Sequence, residues 1–290
     1  MLKLNYLLLA AAAFGFLFPG PGVLATDLIL PFLAGSLFFS LINSQQVCSF
    51  RLPGIRELIP GFLYNYLFLS MVLIIFAFAL PEGLREGLIL YAICPPAIGM
   101  IVISKAWGGN FRNVFGFQIA SYSASILLIP AVSIFLFGEA FDALLLLKTL
   151  ILVFGLPALL TCFIKMKNTD LAADLANILL ALVFYVSLSV ARESIVNGLS
   201  ELALVSLALF VLSLVPALYL VKKKEPDAAL YSFMKNGGVA AGLSIFFLGP
   251  ESTLLISIKI LIDLFVIILA GRLVQAKEGS IKKSRWDIKS

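Results

Sequence analysis

CPPAIGM, Cys94 to Met100, lies in the middle of an apolar run long enough to cross a bilayer. Two consecutive prolines remove two amide donors, and inside a membrane no water replaces them. A break at that depth has two readings. It is a kink relieved by water or neighbouring hydroxyls, or it belongs to a site where freed carbonyls and a new helix start face a cavity. The rest of the chain supplies the context for choosing between them.

Of the 290 residues, 61% are hydrophobic and only 13% are charged, and the mean hydropathy is +1.08. Soluble domains carry about 25% charged residues. The composition therefore predicts an all-α integral membrane protein. There is no histidine, which excludes a conventional zinc site, a His-ligated haem and a His-based catalytic triad. Cys48, Cys94 and Cys162 are widely separated and show no metal spacing. No cofactor is expected. The net charge of +5 falls in short loops and the C-terminal tail, so it reports topology rather than nucleic-acid binding.

About 20 apolar residues cross a bilayer as a helix. Ten such segments are predicted, at 4–18, 24–46, 57–80, 84–105, 111–137, 141–164, 172–191, 201–221, 229–248 and 252–274. PGPG (19–22), RLPG (51–54), LPEG (80–83), KAWGGN (105–110) and KKKEPD (222–227) mark boundaries. The opening segment carries a Lys and an apolar core, yet the chain stays apolar beyond it. It is read as a first membrane helix rather than a cleaved signal.

Ten helices with both termini on one side place sixteen basic residues there. They are Lys3, Arg51, Arg56, Lys105, Arg112, Lys165, Lys167, Lys222 to Lys224, and the tail group from Arg272 to Lys289. Only Arg85, Lys148 and Arg192 fall opposite. The positive-inside rule then assigns both termini to the cytoplasm of a multi-pass plasma-membrane protein.

The fourth span holds the CPP break. The other comparable interruption, MKNGGVAAG from Met234, falls in the ninth span about 140 residues later. Half the chain separates them, and five crossings per half would invert the second copy. Two inverted five-helix repeats are therefore expected, at 1–137 and 141–274, followed by a basic cytoplasmic tail at 275–290. Broken helices in matching positions of inverted repeats point to a secondary transporter and its binding site. Chance recurrence among Gly- and Pro-containing membrane helices is the alternative.

Several side chains could line that site. Lys235 and Asn236 precede Gly237 and Gly238 in an apolar segment. An embedded ammonium faces a cavity or a partner, unless it snorkels to the interface. Such a charge could bind a substrate anion, occupy a place that a metal cation fills elsewhere, or cycle a proton. At the first break the candidates are Pro95, Pro96, Ala97 and Gly99, and Asn65 sits among aromatics in the third span. Gln118, Ser121, Tyr122 and Ser125 follow i, i+3, i+4, i+7 spacing on one helix face. That stripe lines a site or bonds neighbouring helices. Lys259 and Asp263, one turn apart, suit a local ion pair, and they are also the candidate proton-coupling residues. Asp27, Glu82 and Glu86 lie near span ends as interface residues.

GLILYAICPPAIGMIVISKAWGGNFRNVFGFQIAS (87–121) and FMKNGGVAAGLSIFF (233–247) resemble the bile acid:sodium symporter family, to which the auxin efflux carriers are related. The resemblance implies a panel domain and a core domain, each formed by helices from both repeats. It also implies that the fourth and ninth helices unwind and cross at the substrate and ion site. The sequence departs from the family where sodium-coupled members supply oxygens. A Pro-Gly-Gly stretch ending in Ser-Asn corresponds here to Pro95, Pro96, Ala97, Ile98, Gly99 and Met100. A Glu followed four residues later by Gln-Asn corresponds to Tyr231, Lys235 and Asn236. Asn65, Ser121 and Ser125 resemble the family's polar residues in spans three and five.

The expected function is secondary transport of a small organic anion, sodium-independent or proton-coupled, by a chain in contact with membrane lipid. The alternatives are a sodium-coupled symporter with an altered site and a non-transporting membrane sensor or structural homologue. An enzyme is not expected, because no set of acids, bases or metal ligands converges in the sequence.

Overall fold

The computed structural model describes residues 4–44, 53–97, 99–137, 143–166, 168–197 and 199–287, and these are helical almost throughout. No β-strand occurs among the described residues. Lys3, Cys48, Arg51, Lys167 and residues 288–290 of the tail lie outside them.

The chain opens with α1 (Leu4–Leu17), α2 (Pro19–Leu24) and, after a 3₁₀ turn at Thr26–Leu28, α3 (Ile29–Ser44). PGPG, read from the sequence as a boundary, is itself helical. Pro19 and Pro21 fall in the first turn of α2, where their missing amides cost no intrahelical bond. Next, α4 (Ile55–Phe62) and α5 (Met71–Ala77) form one rod, joined by a π-helical stretch at Leu63–Ser70 that carries Asn65 and Tyr66. Then come α6 (Glu82–Ile93), α7 (Met100–Ala106) and α8 (Phe111–Phe137). A second π-helical stretch at Ile151–Gly155 links α9 (Ala143–Leu150) to α10 (Leu156–Phe163). The chain continues with α11 (Thr169–Asn197), α12 (Leu199–Lys222), α13 (Pro226–Tyr231), α14 (Gly237–Phe247) and α15 (Thr253–Asp287). The last helix, α15, continues through the stretch expected as the tail as far as Asp287. Helix-forming Gln275, Ala276, Lys277 and Glu278 give it no reason to stop at residue 274.

Among the described residues five helical stretches are long and apolar enough to cross a membrane: Ile55–Ala77, Arg112–Phe135, Thr169–Glu193, Leu202–Lys222 and Pro250–Val274. Shorter apolar helices cover Tyr6–Leu17, Thr26–Ile42, Leu147–Phe163 and Gly237–Phe247. The protein is thus an all-α, multi-pass membrane protein.

Exposure separates lipid-facing from interior helices. On α12, exposed Leu204, Leu207, Val211 and Val215 form a stripe at helical spacing, while Leu209, Ser213 and Ala217 are buried behind it. A bare aliphatic stripe of this kind faces lipid at no cost. By contrast α15 buries Leu255, Ile256, Lys259, Asp263, Val266 and Ala270, and it packs against α6, α11, α12 and α14. It is the central post on which both interrupted helices rest.

Candidate functional site

Pro96 cannot donate to the Ala92 carbonyl four residues earlier, and Cys94 ahead of the prolines is held extended. The helix α6 therefore ends at Ile93. Ser70 Oγ donates to the freed Ala92 carbonyl at 2.7 Å. Downstream, Gln118 Nε2 donates to the Ala97 carbonyl at 2.6 Å. The Pro95 carbonyl accepts the main-chain N–H of Asn236 at 2.8 Å, so the two interruptions meet directly.

The second interruption is met by donors in the same way. Asn65 Nδ2 donates to the carbonyls of Tyr231 and Met234 at 3.0 and 2.9 Å. Lys259 Nζ donates to the Phe233 carbonyl at 3.0 Å. Asn236 restarts the helix: its Oδ1 accepts from the Val239 N–H as the N-cap of α14. The Asn236 Nδ2 donates to Tyr122 OH. Gly237 faces Ile260 of α15 so closely that a Cβ there would overlap its side chain.

Lys235 sits between these braces. Its residue is 2% exposed, and its ammonium has no hydrogen-bond acceptor among the described residues. The contact that holds it is the Tyr66 ring, whose centroid is 4.0 Å away. This excludes snorkelling, because the side chain ends inside the protein rather than at an interface. Asn65 Oδ1 and Gln118 Oε1 are likewise buried without partners.

The expected polar stripe on α8 divides. Gln118 and Tyr122 line a cavity of about 210 Å³, shared with Leu37, Leu41, Phe115 and Phe154. Ser121 and Ser125 do not line it. Both are fully buried, with Ser125 Oγ donating to the Ser121 carbonyl and lying 3.4 Å from Tyr66 OH. The Ser125 hydroxyl is satisfied by its own helix and needs no substrate, whereas Ser121 Oγ is buried without a partner among the described residues.

Lys259 and Asp263 form the expected i, i+4 ion pair, and both are buried. Tyr91 OH donates to Asp263 Oδ2 at 2.7 Å and accepts from Lys259 Nζ and the Lys235 N–H, each at 3.4 Å. Tyr66, Ser70 and Tyr91 were not found by sequence reasoning. One signal was available for them. Tyr91 and Ala92 stand four residues before Pro95 and Pro96, so something polar had to come to that turn.

Tyr231 contributes its carbonyl to the site, while its ring packs edge-on against Phe117 at 4.7 Å. Pro96 and Gly238 shape the backbone, and a Cβ on Gly99 would meet nothing among the described residues. A wider cavity of about 1190 Å³ is lined by Glu82, Glu86, Glu193, Glu251 and Arg192, and it offers an anion little to bind. Arg192 Nε is committed to the Phe16 carbonyl at 2.9 Å.

Compared with known proteins, the chain matches no family model and no curated protein. Its fold and site define a multi-pass, all-α membrane protein of a kind compatible with transport, in which two interrupted helices meet around a buried ammonium that is unpaired among the described residues.

Proposed function

We propose that the protein is a secondary transporter of a small organic anion, with the architecture of the bile acid:sodium symporters. In this reading ten membrane helices form two inverted five-helix repeats, the fourth and ninth helices cross, and both termini are cytoplasmic. The observation that carries it is the Lys235 ammonium, enclosed where the interruptions meet and lacking any acceptor among the described residues. An uncompensated buried cation costs several kcal/mol, and an arriving carboxylate or sulfonate would repay that cost. The neighbouring cavity is mostly apolar, with Ser40, Gln118, Tyr122 and Ser123 as its polar side chains. It suits an anion with an apolar body.

Sodium coupling fits the residues poorly. A sodium ion at the second interruption would need carbonyl oxygens turned toward it. Those of Tyr231, Phe233 and Met234 already accept from Asn65 and Lys259. Movement of the core by an elevator-like or rocking step accounts for alternating access in this reading.

The test is uptake into proteoliposomes of carboxylates and sulfonates that stabilise the purified protein, under sodium, proton and zero gradients. Uptake without sodium, lost in Lys235→Ala and Lys235→Gln, is the expected result. Strong sodium dependence would sink the sodium-independent reading, and unchanged uptake in both variants would remove Lys235 from the site.

A further inference from the structure

The ammonium of Lys259 is fully buried, carries three protons and has three oxygen acceptors: Asp263 Oδ1, the Phe233 carbonyl and Tyr91 OH. Three separate pieces of the fold bring these oxygens together. Asp263 comes from α15, Phe233 from the interruption after α13, and Tyr91 from the last turn of α6. The second carboxylate oxygen, Asp263 Oδ2, is turned to the Tyr91 hydroxyl. A carboxylate, a main-chain carbonyl and a hydroxyl are the oxygen donors that hard metal cations take.

An i, i+4 pair on a membrane helix needs no third element to neutralise it. Here the ammonium also holds a carbonyl that the interruption leaves without a helical partner, and Tyr91 joins that arrangement to the first interruption. We infer that Lys259 is a tethered cation, its ammonium filling an oxygen cage that a small alkali-metal ion would enter if the side chain were removed. The interruption after α13 is therefore held by a charge the chain carries itself. This goes beyond the proposed transport function and holds whatever the substrate is. It assigns the built-in cation to Lys259 and leaves the unpaired Lys235 for other work.

The experiment measures thermal unfolding of the full-length protein in nanodiscs. Chloride salts of sodium, lithium, potassium and N-methyl-D-glucamine are compared at equal ionic strength. Wild type is expected to unfold at the same temperature in all four. Lys259→Ala is expected to unfold several degrees lower in N-methyl-D-glucamine and to recover part of that loss with rising sodium or lithium, as ligand linkage requires. Lys259→Gln loses the charge but keeps a side chain and a donor for the Phe233 carbonyl in the cage, so its alkali response should be weaker than that of Lys259→Ala. In the double variant Lys259→Ala/Asp263→Ala the carboxylate is gone and the alkali response should vanish.

A folded Lys259→Ala that ignores alkali ions would overturn the inference. So would a wild type that responds as strongly, or a double variant that responds as the single ones do. If neither single variant can be recovered folded in sodium, with or without recovery of the double, the inference also fails, because an oxygen cage that sodium enters must hold those variants together.

Discussion

Lys235 Nζ lies 4.0 Å from the centroid of the Tyr66 ring and forms no ion pair among the described residues. A desolvated cation–π contact returns about 2 kcal/mol, less than the several kcal/mol that burying an ammonium costs. The imbalance separates stability from function. Lys235→Met should unfold no more easily than wild type, and the apparent gain should be about 1–3 kcal/mol. Binding of the transported anion should fall tenfold or more, equivalent to about 1.4 kcal/mol. Paired thermal-unfolding and ligand-stabilisation measurements check this. A clear loss of stability would mean that the ammonium has a structural partner.

Asn65 is a brace, and its removal should be felt in folding. Asn65→Leu leaves the carbonyls of Tyr231 and Met234 buried without donors. Each unsatisfied group costs about 1–3 kcal/mol, and loss of the unpaired Asn65 Oδ1 offsets one of the two, so a net loss of about 1–3 kcal/mol is expected. Denaturant or thermal unfolding in detergent measures it. Asn65→Asp should be at least as damaging, because it turns a carboxylate onto two carbonyl oxygens.

Much of this was legible in the sequence, for physical reasons that differ from residue to residue. The apolar helices and both interruptions follow from hydropathy, paired prolines and the KNGG run, each a local property. The Lys259–Asp263 pair was legible because i, i+4 spacing fixes its geometry on any helix. Tyr91 was not, since its partners Asp263 and Lys235 lie 172 and 144 residues away. Nor was the division of the α8 stripe. Whether a serine bonds its own helix or faces a cavity depends on what packs opposite, and Tyr66 and Phe154 are contributed by other helices.

Tyr122 and Gln118 should separate bracing from substrate contact. Tyr122→Phe removes the oxygen that accepts from Asn236 Nδ2, while the Asn236 cap on Val239 survives. A loss of about 1 kcal/mol in stability is expected. Gln118→Leu breaks the bond to the Ala97 carbonyl but also removes the unpaired Oε1, so the stability change should be small. The effect of Gln118→Leu should fall on KM, through the cavity wall that Gln118 provides. Transport kinetics alongside unfolding check both variants.

Two glycines at the interruptions should respond unequally to the same methyl group. Gly237 opens α14 against Ile260, one residue beyond Lys259, and an added Cβ would overlap the Ile260 side chain. Relief requires α14 to move away from α15, which would pull on the Asn236–Pro95 bond and on the Lys259 contact with Phe233. Overpacking of this sort costs about 1–3 kcal/mol. Among the described residues nothing lies near where the Gly99 Cβ would be, and no positive φ is there to strain a side chain. Gly99→Ala should therefore fold as stably as wild type, and Gly237→Ala should unfold at a lower temperature. Equal destabilisation by both would mean that the first interruption is packed as tightly as the second.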